Sequence, residues 1–174
     1  KPKGRGKKMQ ASEVKLKAQE LNLPLIQPES LKTEKFVEEL KFYEPDIIIV
    51  IAFRILPPSV FNLAKLGAFN IHASLLPKYR GAAPINWAII NGDKSTGLTS
   101  FLLQNKVDTG NILLQKEFSI PKGFTAGDLH DLLMPEAACL ALDTCKLLLS
   151  GDYKPYPQDD SIASQAPKIF PEFC

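Results

Sequence analysis

Long apolar runs alternate along the chain with segments of helical periodicity. Asp46–Ala52 is apolar at every position after its first residue, which is typical of a parallel strand covered by helices on both faces. Gly67–Ala73 predicts a second strand, and Val60–Leu66 predicts a short apolar helix between the two. Strand, helix and strand in this order predict a βαβ unit and an α/β fold.

Segments in the first half of the chain predict further helices and one more strand. SEVKLKAQELN predicts a short helix with Ser12 as its N-cap, and a second helix is expected from about Thr33 to Tyr43. Pro24–Pro28 predicts a brief buried strand between prolines. Pro84–Asn91 predicts a helix with its proline in the first turn.

The downstream half predicts a hairpin followed by a long helix. The β-rich runs TGLTSFLLQ and GNILLQKEFSI flank NKVDT, so they indicate a hairpin or a long excursion from the sheet. A helix is expected from about Thr125 to Leu149, with Gly151 as its end and a kink or split at Pro135. The chain after Asp152 is rich in proline and polar residues and predicts a linker.

The basic residues are concentrated at one end of a nearly neutral chain. The 174 residues carry a net charge of +2, yet five lysines and arginines lie in the first eight positions without an acid among them. We therefore expect a mobile basic loop there, and any attraction to polyanions should be confined to it. The rest of the chain has the size of one domain with a hydrophobic core.

Cysteine spacing and hydropathy restrict the cellular setting. Cys139, Cys145 and Cys174 form no CxxC pair, so they predict reduced thiols rather than a zinc knuckle or a disulfide framework. No apolar run approaches the roughly 20 residues of a membrane span, and no leader peptide opens the chain. The sequence predicts a soluble cytoplasmic protein.

Asn70 and His72 are the first candidates for chemistry. Residues i and i+2 of a strand point to the same face, and at the carboxyl end of a parallel strand that face opens onto the ligand crevice. An asparagine amide and a histidine there can stabilise a developing oxyanion. Equally, the two residues can be satisfied polar groups that close a turn.

A carboxylate is the expected third member. Asp108, in VDTG, lies on a loop between two β-rich runs, where catalytic residues are common. Its alternative is an Asx-turn in which the carboxylate bonds to backbone near Gly110.

Two further candidates are expected to be structural. His130 lies among acids on a helix and is expected to be solvated or to cap it. Arg80 is expected to support its loop rather than to bind a carboxylate or phosphate.

The motifs together resemble a known family. NIHASLLPKYRGAAPINWAIINGD, followed by TG and VDTG, is similar to the core of the folate-dependent formyltransferases. The resemblance implies a Rossmann-like formyltransferase fold: an α/β domain over residues 1–152 with a mostly parallel sheet flanked by helices, here without its first βα unit. Residues 153–174 are then a linker toward a C-terminal β-barrel.

The resemblance also implies roles for individual residues. Asn70, His72 and Asp108 would be catalytic, and 10-formyltetrahydrofolate would be the co-substrate, with no metal. The folate-binding residues would be Ser74, Leu75, Leu76 and Pro77, together with Arg54, Ile55 and Leu56 beside the pterin. In the tRNA-specific branch of the family a basic loop inserts at the acceptor end, and Arg5, Lys7 and Lys8 match it.

Several functions follow from these residues. The tRNA-specific branch implies methionyl-initiator tRNA as partner and a full-length monomer. A small-amine acceptor, such as glycinamide ribonucleotide or an amino-sugar nucleotide, remains an alternative, as do a formyltetrahydrofolate hydrolase and a non-catalytic folate- or RNA-binding module. A nicotinamide dehydrogenase is disfavoured because no GxGxxG follows a candidate strand.

Overall fold

The computed structural model describes residues 2–3, 8–9, 11–51 and 55–170. They fall into two compact units, Lys1–Leu31 and Lys32–Cys174. Within the described residues, no helix is both long enough and apolar enough to span a bilayer.

The described residues of the first unit form two short strands and one helix. Strand β1 (Pro2–Lys3) pairs antiparallel with β2 (Lys8–Met9), so the expectation of an opening without strands is wrong at these four residues. Helix α1 (Glu13–Glu20) begins where expected, because the Ser12 hydroxyl accepts the Lys15 N–H at 3.3 Å.

The strand predicted over Pro24–Pro28 is absent. Both flanking prolines lack the N–H that a sheet ladder needs. Leu25 is 42% exposed, so the apolar residues between the prolines are not buried as that strand required.

The second unit alternates helices and strands and so confirms the α/β class. Helix α3 begins two residues earlier than expected, because a proline occupies its first turn, and it ends well before Leu66. The elements are α2 (Glu34–Phe42), β3 (Ile47–Val50), α3 (Pro58–Phe61), β4 (Gly67–His72), β5 (Arg80–Gly81), α4 (Pro84–Ile90), β6 (Ser95–Leu102), β7 (Ile112–Ser119), α5 (Ala126–Ser150), a 3₁₀ turn (Asp160–Ile162) and β8 (Gln165–Ala166).

The main sheet has the strand order β3-β4-β6-β7. Strands β3 and β4 are parallel, as the βαβ unit predicts, whereas β6 is antiparallel to both β4 and β7. The mostly parallel sheet is therefore wrong for the described residues. The predicted hairpin accounts for the β6–β7 pair, because the short connection between these two strands can join only antiparallel strands.

Helix α5 covers this sheet with its apolar side. Leu129, Leu133 and Leu140 are buried against Leu98 of β6, so a helical period of leucines builds the core. The helix is continuous through Pro135, and the predicted split is wrong. The proline lies on the exposed side, where water can reach the carbonyl that it leaves without a partner.

The described part of the predicted linker packs on the second unit. Strand β8 runs parallel to β5, and the Trp87 indole donates to the Pro167 carbonyl at 2.8 Å. Gly81 permits this approach: its φ is +125°, and a Cβ there would lie 2.7 Å from the Ala166 oxygen. Residues 153–170 thus include part of the domain, and their connection to a barrel stays a prediction.

Candidate active site

A cavity of about 1030 Å³ opens at the carboxyl ends of β3 and β4. That volume suits a small-molecule ligand, and the wall is largely apolar with a few polar groups, as such sites usually are. The lining residues include Val50, Ile51, Ile55, Leu56, Phe61, Asn70, His72, Ile85, Gln104, Asn105, Lys106, Asp108, His130, Leu133 and Met134.

Strand β4 brings Asn70 and His72 to the same cavity wall. Alternation along the strand explains their shared side. The Asn70 Oδ1 atom is buried and has no hydrogen-bond partner within the described chain. Buried polar atoms are rarely left unpaired, so this oxygen is available to a ligand.

The imidazole of His72 has a defined orientation. Its Nε2 lies 2.7 Å from the Tyr79 carbonyl oxygen. Because a carbonyl can only accept, Nε2 carries the proton and donates it. The other ring nitrogen, Nδ1, lies 3.9 Å from Asp108 Oδ2, and both side chains are more than 90% buried. His72 therefore directs its proton-accepting atom toward a carboxylate.

Asp108 is held by a contact from far along the chain. Its Oδ2 accepts the Gly81 N–H at 2.9 Å across 27 residues. The alternative of a local Asx-turn near Gly110 is thus not what holds this carboxylate. The oxygen that faces His72 is therefore the same one that accepts this backbone hydrogen bond.

Gly110 lets the Asp108 loop pass close to β6. A Cβ at this position would lie 1.6 Å from the Leu102 carbonyl oxygen, a distance that no side chain can occupy. The VDTG sequence therefore contains glycine for steric reasons, and the position of Asp108 depends on it.

Tyr79 and Asp108, the two residues that face the His72 ring, both have left-handed backbone, with φ of 61° and 53°. Such conformations cost about 1–3 kcal/mol outside glycine and persist where neighbours impose them.

The Tyr79 hydroxyl donates to Asp93 Oδ2 at 2.6 Å and accepts from Asn91. Burial, followed by the hydrogen bond to Asp93, raises the pKa of this phenol.

The predicted folate-binding segment Ser74–Pro77 does not line the cavity. The Thr99 hydroxyl donates to the Ser74 carbonyl and accepts the Leu76 N–H, and Gln115 donates to the Leu76 carbonyl. The Leu76 side chain packs in a buried cluster. These contacts show how the segment is fixed beside the site, and its contact with folate stays a prediction.

Other predicted site residues differ in where they lie. Ile55 and Leu56 line the cavity, whereas Arg54 lies outside the described residues. Arg5 and Lys7 also lie outside them, and only the backbone of Lys8 is described. Their expected binding roles therefore stay predictions.

His130 and Arg80 are placed as expected, the first solvated and the second in support of its loop. The imidazole of His130 is 58% exposed at the cavity rim, 3.0 Å from Asp131. Arg80 is buried and forms an ion pair with Asp160 at 2.8 Å. It also donates twice to Gln158, so its guanidinium supports the loop as expected, though through side chains rather than main-chain carbonyls.

Three residues near the site carried no sequence signal. Gln158 and Ser164 lie in the polar tail and reach the site across 48 to 85 residues. The left-handed backbone of Tyr79 is equally invisible, because aromatic residues rarely adopt it. Among the described residues, no three His, Cys, Asp or Glu side chains are close enough to hold a metal ion.

The sequence is similar to proteins of one family. A family model described as "Formyl transferase" matches residues 1–140. A methionyl-tRNA formyltransferase of Bacteroides thetaiotaomicron is 50% identical over all of this chain and 55% of that protein. One from Clostridium novyi is 51% identical over 92% of this chain and 52% of that protein. The chain therefore spans about half the length of these relatives.

Several solved structures are similar to the fold of this chain. A sugar N-formyltransferase from Shewanella matches with a TM-score of 0.70 and 25% identity, over 87% of this chain and 58% of that one. WlaRD, a sugar 3N-formyltransferase solved with dTDP and 5-N-formyl-THF, has a TM-score of 0.70 and 24% identity, over 90% of this chain and 53% of that one. HypX from Aquifex aeolicus, in complex with tetrahydrofolic acid, matches with a TM-score of 0.67 and 24% identity, over 78% of this chain and 23% of that one.

Proposed function

Because the chain belongs to the formyl transferase family, we propose that it forms the catalytic part of a methionyl-tRNA formyltransferase. The enzyme transfers a formyl group from 10-formyltetrahydrofolate to the α-amino group of methionyl-initiator tRNA, for translation initiation in the cytoplasm. The relatives at about 50% identity support the choice of acceptor. The observation that carries the chemistry is that Asn70, whose buried Oδ1 has no partner, lines the same cavity as His72 and Asp108.

The reaction begins with attack of the neutral amine on the formyl carbon. The carbonyl oxygen becomes an oxyanion, and the Asn70 amide N–H can donate to it. Since Asn70 makes no hydrogen bond through its buried Oδ1, no protein contact has to break at that atom when its amide turns toward the ligand.

His72 accepts the proton that the amine loses, and Asp108 stabilises the charge that this proton creates. Nδ1 of His72 accepts it, because Nε2–H is already bonded to Tyr79. The imidazolium then stabilises the oxyanion from the same side, while Asp108 at 3.9 Å stabilises the positive charge. Collapse of the intermediate breaks the bond between the formyl carbon and N10 of the folate. N10 takes the proton from the imidazolium, which returns His72 to its neutral form, and tetrahydrofolate and formyl-methionyl-tRNA leave.

The folate-binding proposal uses the apolar part of the cavity. Val50, Ile55 and Leu56 form one side of the wall, and a flat heterocycle can stack on such a surface. The tetrahydrofolic acid bound to HypX and the 5-N-formyl-THF present with WlaRD support a folate ligand for this fold, and the proposed location rests on the cavity itself. We also propose that Arg5, Lys7 and Lys8 contact tRNA phosphates, since lysine and arginine around glycine give a flexible cationic loop.

The test supplies the full-length protein with 10-formyltetrahydrofolate and charged initiator tRNA, and follows tetrahydrofolate release. Glycinamide ribonucleotide and an amino-sugar nucleotide are offered in parallel. Asn70→Ala and His72→Ala should each lower kcat by about 10² to 10³, the usual cost of an oxyanion donor.

Asn62→Ala is the matched control, because this asparagine is exposed and does not line the cavity. Turnover with only a small amine would overturn the acceptor, and near-normal turnover of the Asn70 and His72 variants would overturn the mechanism.

A further inference from the structure

We propose that Gln158 and Ser164 are positioning residues that hold the two neighbours of the His72 ring in place. The inference rests on the proposed function, since it assigns the tail of the domain to the same site. It begins with Tyr79 and Asp108, which both have left-handed backbone. The Tyr79 carbonyl faces Nε2 of His72, and the Asp108 carboxylate faces Nδ1. Because such backbones relax unless the surroundings hold them, the atoms that bond to these two residues determine the geometry around His72.

Gln158 holds the Asp108 side. Its Nε2 donates to the carbonyls of Asp108 at 3.1 Å and Gly110 at 2.9 Å, so it bonds the loop on both sides of Thr109. Its Oε1 accepts twice from Arg80, at 2.9 and 2.7 Å. Since a guanidinium only donates, the amide cannot be reversed. Every hydrogen-bonding capacity of this side chain is therefore used, and its orientation is fixed.

Arg80 connects that amide to the other side of the site. The arginine is buried and is bonded to Asp160 as well as to Gln158. Gly81, the next residue, gives its N–H to the Asp108 carboxylate. Asp108 is consequently held at its side chain by Gly81 and at its carbonyl by Gln158.

Ser164 holds the Tyr79 side. Its hydroxyl accepts the Tyr79 N–H at 2.9 Å, and its carbonyl accepts the Arg80 N–H at 2.9 Å. Its own N–H donates to the Pro77 carbonyl at 3.3 Å. Three bonds on both sides of Tyr79 fix the peptide whose carbonyl accepts from His72. One short tail segment thus acts on both ring nitrogens, Nε2 through Ser164 and Nδ1 through Gln158.

The first experiment measures steady-state kinetics of the full-length enzyme. Gln158→Ala and Gln158→Glu remove the donor to the two loop carbonyls, and the second keeps the length of the side chain. Both should lower kcat about 10- to 100-fold, the cost of small misplacements at a catalytic centre. KM for the folate donor should change by less than about twofold, since no uniform binding contact is lost. Gln165→Ala, an exposed glutamine of the same tail, is the matched control and should match the wild type.

The second experiment records the ring nitrogens of His72 by ¹⁵N NMR, which requires no turnover. Ser164→Ala should shift mainly the Nε2 signal and Gln158→Glu mainly the Nδ1 signal. Ser161→Ala, whose hydroxyl bonds only within its own turn to Asp159, should shift neither.

Two results overturn the proposal. In the first, kcat and both nitrogen signals of the Gln158 and Ser164 variants equal those of their controls. In the second, the loss of kcat/KM arises only from a higher KM. If the wild type transfers no formyl group, the proposed function fails, and the NMR signals still test the positioning roles of Gln158 and Ser164. Failure of the function and failure of this inference are therefore distinguishable. If Gln158→Ala does not fold, Gln158→Glu and Ser164→Ala carry the test.

Discussion

Two aspartates, twenty residues apart in sequence, each accept a backbone N–H and yet belong to different kinds of structure. Asp128 is exposed and bonds to Thr125 three residues away, in the capping box that begins α5. Asp108 is 91% buried and bonds to Gly81, 27 residues away. The comparison teaches that a local bond stabilises its own helix, whereas a distant bond holds a buried carboxylate at the proposed site.

Substitution of the glycines beside the two aspartates should separate these regions most strongly. Gly110→Ala places a methyl group 1.6 Å from the Leu102 oxygen, so the Asp108 loop must move. We expect a loss of about 3 kcal/mol in the free energy of unfolding and at least about a 100-fold loss of kcat, measured by denaturant titration and by tetrahydrofolate release.

Gly127→Ala is the counterpart at the start of α5. Its methyl group would meet nothing closer than the Thr125 hydroxyl at 3.6 Å, and a helical alanine is favoured over glycine. A stabilisation of about 0.4–1 kcal/mol with unchanged kcat is expected. Equal effects of the two glycine substitutions would contradict the steric explanation.

Removal of the charge from each aspartate is the next largest test. Asp108→Asn keeps an oxygen for the Gly81 N–H but takes the negative charge away from His72, so kcat should fall about 10²-fold with little change in thermal stability. Asp128→Asn should leave kcat unaltered. Should both variants keep full activity, Asp108 would have no catalytic role.

Removal of the helix cap should affect stability alone. Thr125→Ala deletes the hydroxyl that accepts the Asp128 N–H, and an N-cap of this kind contributes about 1 kcal/mol. Chemical denaturation should show that loss while kcat stays constant. A fall in kcat that exceeds the stability change would mean that α5 and the site are coupled more closely than their contacts indicate.

The smallest effect is the pH dependence of the same cap. Hydrogen bonds from the Thr125 side chain and backbone lower the pKa of Asp128 below its ordinary value. The native state therefore releases this proton more readily than the unfolded chain, so the contribution is complete above about pH 4 and disappears as pH falls through the lowered pKa. The stability difference between wild type and Asp128→Asn should shrink accordingly in acid titrations. A constant difference down to pH 2 would show that the charge does not matter.

The same contrast explains what the sequence could predict. The caps Ser12, Thr33 and Thr125 and the end at Gly151 were predictable, because each depends on bonds within a few residues. The shared face of Asn70 and His72 follows from strand alternation. Asp108 was a candidate because it lies on a loop between two β-rich runs, and the motif resemblance then implied the same residue. Sheet direction, by contrast, is decided by pairing between distant segments, and local periodicity does not contain it.

The tail was the least predictable part. Gln158 and Ser164 lie among prolines and polar residues that are typical of a linker, and only the folded chain brings them to the site. Likewise, Pro135 predicts a break in a helix, but its exposed position and the leucine period around it keep α5 continuous. Tertiary packing overrides local preference in both cases.

The close passage of Gly81 against Ala166 has a practical meaning for recombination between related enzymes. A chimera whose crossover point falls between residues 152 and 167 would unite a loop from one parent with a tail from another, and the spacing tolerates no side chain on the loop. A crossover placed beyond Pro167, whose carbonyl still accepts from Trp87, would keep loop and tail from one parent. The boundary suited to module exchange is therefore downstream of the one that composition suggests.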